Sequence, residues 1–253
     1  MKPRQMDPAA AQQEIERRTR RAFLAMGSGA VLGSAGLAAL LAGGAEGDIP
    51  PGLRRILGFN EKVVRSALYS NGHLVPTFPT SAVGEQKANG DVGIDTDLDP
   101  AAWRLEVVPF GASAPSLALT LDEVKQLPRH EETIEFKCVE GWSTVTQFAG
   151  VRLADFTAKF APGSAQAACV GLRTPDSEYY VSIDMPGALH PQTLLAWEMN
   201  GQPLTEDHGA PLRLVIPVKY GIKNIKRIGR IEYTEHPTRD YWQERGYDWF
   251  AGL

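Results

Sequence analysis

Cys138 closes the run Ile134-Glu135-Phe136-Lys137-Cys138, and Val139-Glu140-Gly141-Trp142-Ser143 follows it. A thiolate is a soft ligand that suits a redox metal. Taken alone, a single cysteine on the buried face of a strand more often packs as a small hydrophobe. The second group is basic: Lys219-Tyr220-Gly221-Ile222-Lys223-Asn224-Ile225-Lys226-Arg227, with Arg213 upstream. Gly221 and Asn224 suit a turn whose backbone N–H groups point one way, and lysines around such a turn make a phosphate cradle. The plainer alternative is a solvated loop. Embedding in an acidic body and between two apolar strands brings the two readings level. His73, His190 and His208 stand beside Gly or Pro in turn-like contexts and serve as hydrogen bonders to an anion or to the core.

Other chemistries lack their residues. No CxxC, HExxH or helically spaced His pair is present, so zinc and iron–sulfur sites are disfavoured. No Gly-x-Ser-x-Gly, Walker loop or dinucleotide fingerprint occurs. Two cysteines, Cys138 and Cys169, do not make a disulfide framework in 253 residues, and both are expected as buried thiols.

The elements that must position these groups are short. Trp103 to Val108 reads as a strand. Thr120 caps a helix, with Glu123 completing a capping box and Pro128 beyond its end. Thr133 to Cys138 alternates as a half-buried strand does. Phe148 to Val151 is a short apolar piece. Leu153 to Phe160 fits an amphipathic helix ended by Pro162-Gly163. Ala167–Leu172, Tyr179–Ile183, Leu194–Met199, Leu212–Val218 and Arg227–Thr234 read as strands, and Asn200-Gly201 signals a hairpin. The stretches 69–79 and 81–100 read as loop, and the aromatic tail Tyr241 to Phe250 is expected to pack on the body. Frequent turns and few helices argue an α+β fold, mainly antiparallel.

Charge is unevenly spread. Residues 1–45 hold six Lys/Arg and three Asp/Glu, hence +3; a total of −4 leaves −7 on the rest. An acidic body does not suggest nucleic-acid binding. Thr19-Arg20-Arg21-Ala22-Phe23-Leu24 precedes an uncharged stretch to Ala45 rich in Gly, Ala and Leu. This reads as a twin-arginine export signal over residues 1–45, cleaved or kept as a membrane tether. Residues 46–253 are then one exported domain.

Three segments carry a family resemblance. They are Cys138-Val139-Glu140-Gly141-Trp142-Ser143, His190-Pro191, and His208-Gly209-Ala210-Pro211-Leu212-Arg213 through Lys219-Tyr220-Gly221-Ile222-Lys223. Together they resemble the molybdopterin-binding domain of the sulfite oxidase family, most of all its periplasmic methionine sulfoxide reductase branch, over roughly residues 65–235. The resemblance implies a sulfite oxidase-type fold and a molybdenum–molybdopterin cofactor. It implies Cys138 as the metal's thiolate ligand and catalytic residue. Asn71, His73 and Thr174 fall where the family contacts the pterin. Arg213 and the Asn224-Ile225-Lys226 segment, with Lys223 beside it, fall where its phosphate is held. His208 stands where the reductase relatives carry Asn.

The implied activity is oxygen-atom transfer on a small molecule, by preference reduction of an S- or N-oxide. Electrons would come from a membrane cytochrome or a quinol-linked partner. No haem-binding domain precedes the core and no dimerisation domain follows it, so a monomer is expected. The alternatives are oxidation of sulfite or a related sulfur compound, and a non-enzymatic exported domain that binds an anion or partner through the Lys219–Arg227 loop.

Overall fold

A computed structural model of the chain describes residues 74–111 and 115–253, together with Ile56, Phe59 and Val63 in helical conformation. The paired arginines, Asn71 and His73 lie outside the described residues. Among the described residues no helix is long and apolar enough to cross a membrane.

Two five-stranded sheets carry the chain. The first is ordered β2-β1-β10-β5-β6, from β1 (Leu105–Val108), β2 (Leu117–Leu119), β5 (Cys169–Arg173), β6 (Tyr180–Asp184) and β10 (Arg230–Thr234). The second runs β3-β4-β7-β8, with β9 also on β7; its strands are β3 (His130–Lys137), β4 (Ser143–Arg152), β7 (Leu194–Met199), β8 (Gln202–Pro203) and β9 (Arg213–Val215). Every described pairing is antiparallel except β1 with β10. The α+β expectation holds, and the sheets follow from the runs of β-branched and aromatic residues between turn signals.

Local signals explain the helices. In α1 (Leu121–Lys125) the Thr120 hydroxyl accepts from the Glu123 N–H, and the Glu123 carboxylate accepts from the Thr120 N–H at 2.8 Å, so both halves of the capping box form. The helix α2 (Leu153–Phe160) buries Leu153 and Phe156 and stops before Gly163 at φ 84°. A short α3 (Met185–Ala188) is capped by Asp184, which accepts from Gly187 N–H at 3.2 Å. Asn200 and Gly201, at φ 53° and 74°, make the β7–β8 hairpin turn.

The main core lies between the sheets and under α2: Leu105, Val107, Val151, Phe156, Val170, Leu195, Leu214 and Ile231 are all fully buried. Each contributes about 1.5–3 kcal/mol by leaving water. A smaller cluster of Ile134, Phe148, Leu194, Ala196 and Val215 lies on the second sheet.

Several strands differ from expectation: β2 is unexpected, β3 starts at His130 rather than Thr133, and three others show a clear cause. The apolar piece Phe148–Val151 is the last half of a ten-residue strand, because polar Ser143 to Gln147 pair along β3 as well. The run Leu212–Val218 pairs only over Arg213–Val215. After it, the Ile216 N–H turns to Asn224 Oδ1 at 2.8 Å, and Pro217 has no N–H to give a ladder. The last strand begins at Arg230 rather than Arg227, because Arg227 sits at φ 47° and Ile228 N–H bonds to Leu212 C=O instead.

Candidate active site

The β3–β4 hairpin delivers the thiol. Lys137 pairs with Ser143, so residues 138–142 form a five-residue turn with Cys138 as its first member. Cys138 N–H donates to Trp142 C=O at 3.0 Å, and Gly141 N–H donates to Cys138 C=O at 3.2 Å. Gly141 holds φ 88°, where a side chain is disfavoured. The turn places Cys138 on the wall of a cleft that opens to solvent. Both cysteines are thiols and buried. Cys138 lines the cleft, whereas Cys169 packs with Trp249 and Phe250.

One segment distant in sequence, the Asn89 loop, and the turn itself surround the sulfur. Asn89 Nδ2 lies 3.8 Å from it and donates to Glu140 Oε2 at 3.1 Å. Trp142 Nε1 donates to the same Glu140 oxygen at 2.9 Å. Burial raises the Cys138 pKa above that of an ordinary thiol; the Glu140 backbone N–H opposes the rise, the Glu140 carboxylate adds to it, and the Asn89 amide opposes it. The Asn89 loop is itself tied down: Thr146 donates to Gln86 Oε1 at 2.6 Å, and Gly84 N–H donates to Val145 C=O at 3.0 Å.

A basic cluster lines another part of the same cleft. Arg213, 4% exposed, donates to His208 C=O at 3.0 Å, while its Nε is buried without a partner. Its guanidinium lies 5.2 Å from the Phe148 ring centre and 5.8 Å from that of Phe136. Burial alone brings its pKa down to about 10, still charged at neutral pH. Lys226 donates to Gly90 C=O at 2.8 Å; burial, then the Arg213 charge, bring it down to about 8. Burial and these two cations also lower His208, which favours neutral imidazole. Asn224 completes the cluster and is braced by its contacts to Ile216 N–H and Tyr220 C=O. A buried guanidinium with an unsatisfied donor beside a half-buried ammonium fits an anion such as a phosphate.

The site residues expected from sequence separate into groups. Cys138, His208, Arg213, Asn224 and Lys226 share the cleft. Ile225 is fully buried below them, and its C=O accepts from Leu214 N–H at 2.9 Å. Thr174 stands at the end of β5, its hydroxyl 2.5 Å from Asp176 Oδ1 and against Gly93, off the cleft wall. Lys223 points into the protein, where it pairs with Asp240 and donates to Ser182 C=O at 3.2 Å. Lys219 likewise pairs with Asp184 at 2.7 Å. Of the three lysines in the basic turn, only Lys226 lines the cleft.

Four lining residues had no signal sharp enough to single them out. Asn89 sits in a stretch read only as loop, and Tyr179 in one read only as strand. Trp242 and Tyr247 come from a tail read only as packing on the body. Tyr179 OH donates to Ile222 C=O at 2.7 Å, and burial pushes its pKa well above normal, so it stays protonated.

The comparisons agree with this geometry. A model of the oxidoreductase molybdopterin-binding domain matches residues 91–242. The chain is 36% identical to the putative protein-methionine-sulfoxide reductase subunit YedZ1 of Azospira oryzae, over 75% of this chain and 72% of that protein. Mitochondrial sulfite oxidase of Rattus norvegicus is 35% identical over 61% of this chain and 33% of its own. The protein-methionine-sulfoxide reductase catalytic subunit MsrP of Xanthomonas campestris is 34% identical over 62% of this chain and 56% of its own. This chain thus spans a third to about three quarters of these relatives. The sulfane dehydrogenase SoxCD of Paracoccus pantotrophus superposes with a TM-score of 0.52 at 19% identity, covering 72% of this chain and 53% of that one, a likeness of fold. A soft thiolate ligand and a buried, unsatisfied guanidinium in one cleft fit the metal and the phosphate of a molybdopterin. The match over more than half the chain assigns it: this protein belongs to the molybdopterin-binding oxidoreductases, with molybdenum–molybdopterin as its cofactor.

Proposed function

We propose that the protein transfers oxygen by reducing an S- or N-oxide, outside the cytoplasm. One observation carries the preference for reduction. The Glu140 carboxylate lines the cleft two residues from Cys138, held there by the Asn89 amide and the Trp142 indole N–H. A negative charge there repels sulfite and tolerates a neutral oxide. Trp142, Trp242, Tyr247 and Val92 line the same cleft and offer apolar surface to an organic substituent.

The bound cofactor supplies the two-electron redox chemistry. The chain's own residues do the rest. Cys138 would hold the metal, and Arg213, Lys226 and Asn224 would hold the phosphate. His208 joins them as a neutral hydrogen-bonding group. Tyr179 keeps its proton, gives it to Ile222 C=O and presents a neutral hydroxyl oxygen to the cleft. Overall, R₂S=O with two electrons and two protons gives R₂S and water. A membrane cytochrome or quinol-linked protein would supply the electrons. Export through a twin-arginine signal in residues 1–45, a catalytic domain over 46–253 and a monomeric state belong to the same reading.

Turnover of methionine sulfoxide and trimethylamine N-oxide with reduced viologen, compared with sulfite and ferricyanide, tests it. Oxide reduction supports the reading, and sulfite turnover alone overturns it.

A further inference from the structure

Lys223 and Asp240 form an ion pair whose side chains are 1% and 2% exposed. Lys223 belongs to the turn that carries Gly221, Ile222, Asn224 and Lys226 into the cleft, while Asp240 opens the turn that carries Trp242 and Tyr247 into it. Asp240 holds more than the lysine. Its Oδ2 also accepts from Ser182 N–H at 3.0 Å, and its Oδ1 accepts from Gln243 N–H at 3.1 Å. Next to it, Tyr241 N–H bonds to Tyr180 C=O at 2.9 Å. The Tyr241 ring lies tilted against Tyr179 with centroids 5.1 Å apart and meets Trp242 edge-on at 5.3 Å, and Trp242 meets Tyr247 edge-on at 5.0 Å.

We infer that Lys223 is a positioning residue: its pair with Asp240 locks the aromatic wall of Trp242 and Tyr247 to the anion-holding turn, so that cofactor seat and substrate wall keep a fixed spacing. The assignment differs from a phosphate-ligand role, because the ammonium already serves Asp240 and Ser182 and faces away from the cleft. A buried pair is poor evidence for stability but a good means of fixing geometry, since both partners lose heavily if they part. The substrate half of the inference rests on the oxide-reductase reading above.

The test uses the loaded enzyme and two variants. Lys223→Met is expected to retain its molybdenum and to speed amide exchange in both 219–226 and 240–247. It should raise the KM for methionine sulfoxide by about tenfold while kcat stays within about threefold. The double variant Lys223→Met/Asp240→Leu replaces the pair with apolar side chains and should recover part of the thermal stability lost in Lys223→Met, the rest reflecting the Ser182 and Gln243 N–H groups left without Asp240. Its KM should stay raised, because no directional bond replaces the pair.

Three results overturn the assignment. Loss of molybdenum in Lys223→Met with unchanged exchange at 240–247 would return Lys223 to a cofactor ligand. Recovery of KM together with stability in the double variant would reduce the pair to a structural one. Should no oxide be turned over by any form, exchange and metal content still decide the lock itself, and only the reductase reading fails. Unchanged exchange at 240–247 in Lys223→Met refutes the lock whatever the substrate.

Discussion

Asn89 brings its side-chain amide to within 3.8 Å of the Cys138 sulfur from 49 positions earlier in the chain. The thiol therefore faces the cleft beneath a loop of its own fold, while Cys169 is packed against Trp249 and Phe250. Access, and not burial as such, separates the two. Iodoacetamide added to native, cofactor-free protein should modify Cys138 at least about tenfold faster than Cys169, and bound cofactor should protect Cys138. Peptide mapping by mass spectrometry measures this. Equal rates at the two cysteines would contradict the placement.

Arg213 carries a charge that the cofactor-free protein leaves incompletely satisfied, because its buried Nε has no partner. Removing such a charge relieves a desolvation cost. Arg213→Met should therefore leave the cofactor-free protein as stable as wild type or more so, while molybdenum content falls by about tenfold or more. Urea unfolding and metal analysis on the same preparations separate the two effects.

Lys226 gives the site a pH dependence. Its native pKa, brought down to about 8, lies below the ordinary lysine value of 10.5. Below pH 8 both native and unfolded chains carry the charge, and the full cost of burying it is present. Between pH 8 and 10.5 the native state releases its proton first, so this residue makes the cofactor-free protein more stable as pH rises. Anion affinity moves oppositely. Inorganic phosphate should bind the cofactor-free protein less well at pH 9 than at pH 7, measured by calorimetry, and Lys226→Arg should flatten that fall. In Lys226→Gln the alkaline gain in stability should be absent.

Two structural substitutions calibrate the scaffold. Thr120→Ala removes the cap of α1, far from the cleft, and should cost about 1 kcal/mol without changing turnover. Gly150 stands where the β4–β7 register shifts, and a Cβ there would lie 1.9 Å from Leu195 C=O. Gly150→Ala should destabilise by about 3 kcal/mol or more. Chemical unfolding of both variants checks the contrast.

Much of the scaffold could be read from residue order, because its signals are local. The Thr120–Glu123 box, the Asn200-Gly201 turn and the apolar face of 153–160 each act within a few residues. Pairing across β3 and β4 let polar Ser143 to Gln147 extend a strand whose apolar part is only Phe148 to Val151. The site was legible where one motif supplied the group, as with Cys138 and Arg213. It was not where opposite charges meet across the fold. A lysine-rich turn looks like a cradle until Asp184 and Asp240, 35 and 17 positions from Lys219 and Lys223, claim two of its three ammonium groups. Asn89, Tyr179, Trp242 and Tyr247 reach the cleft only through tertiary packing.

Molybdenum per chain, in protein made by a host that assembles the cofactor, tests the central claim most directly. The account predicts about one molybdenum per wild-type chain, with an oxidised pterin fluorescing in the denatured extract, and no turnover by a folded Cys138→Ala chain. A folded wild-type chain without molybdenum, or a Cys138→Ala chain that turns over at the wild-type rate, would contradict the account.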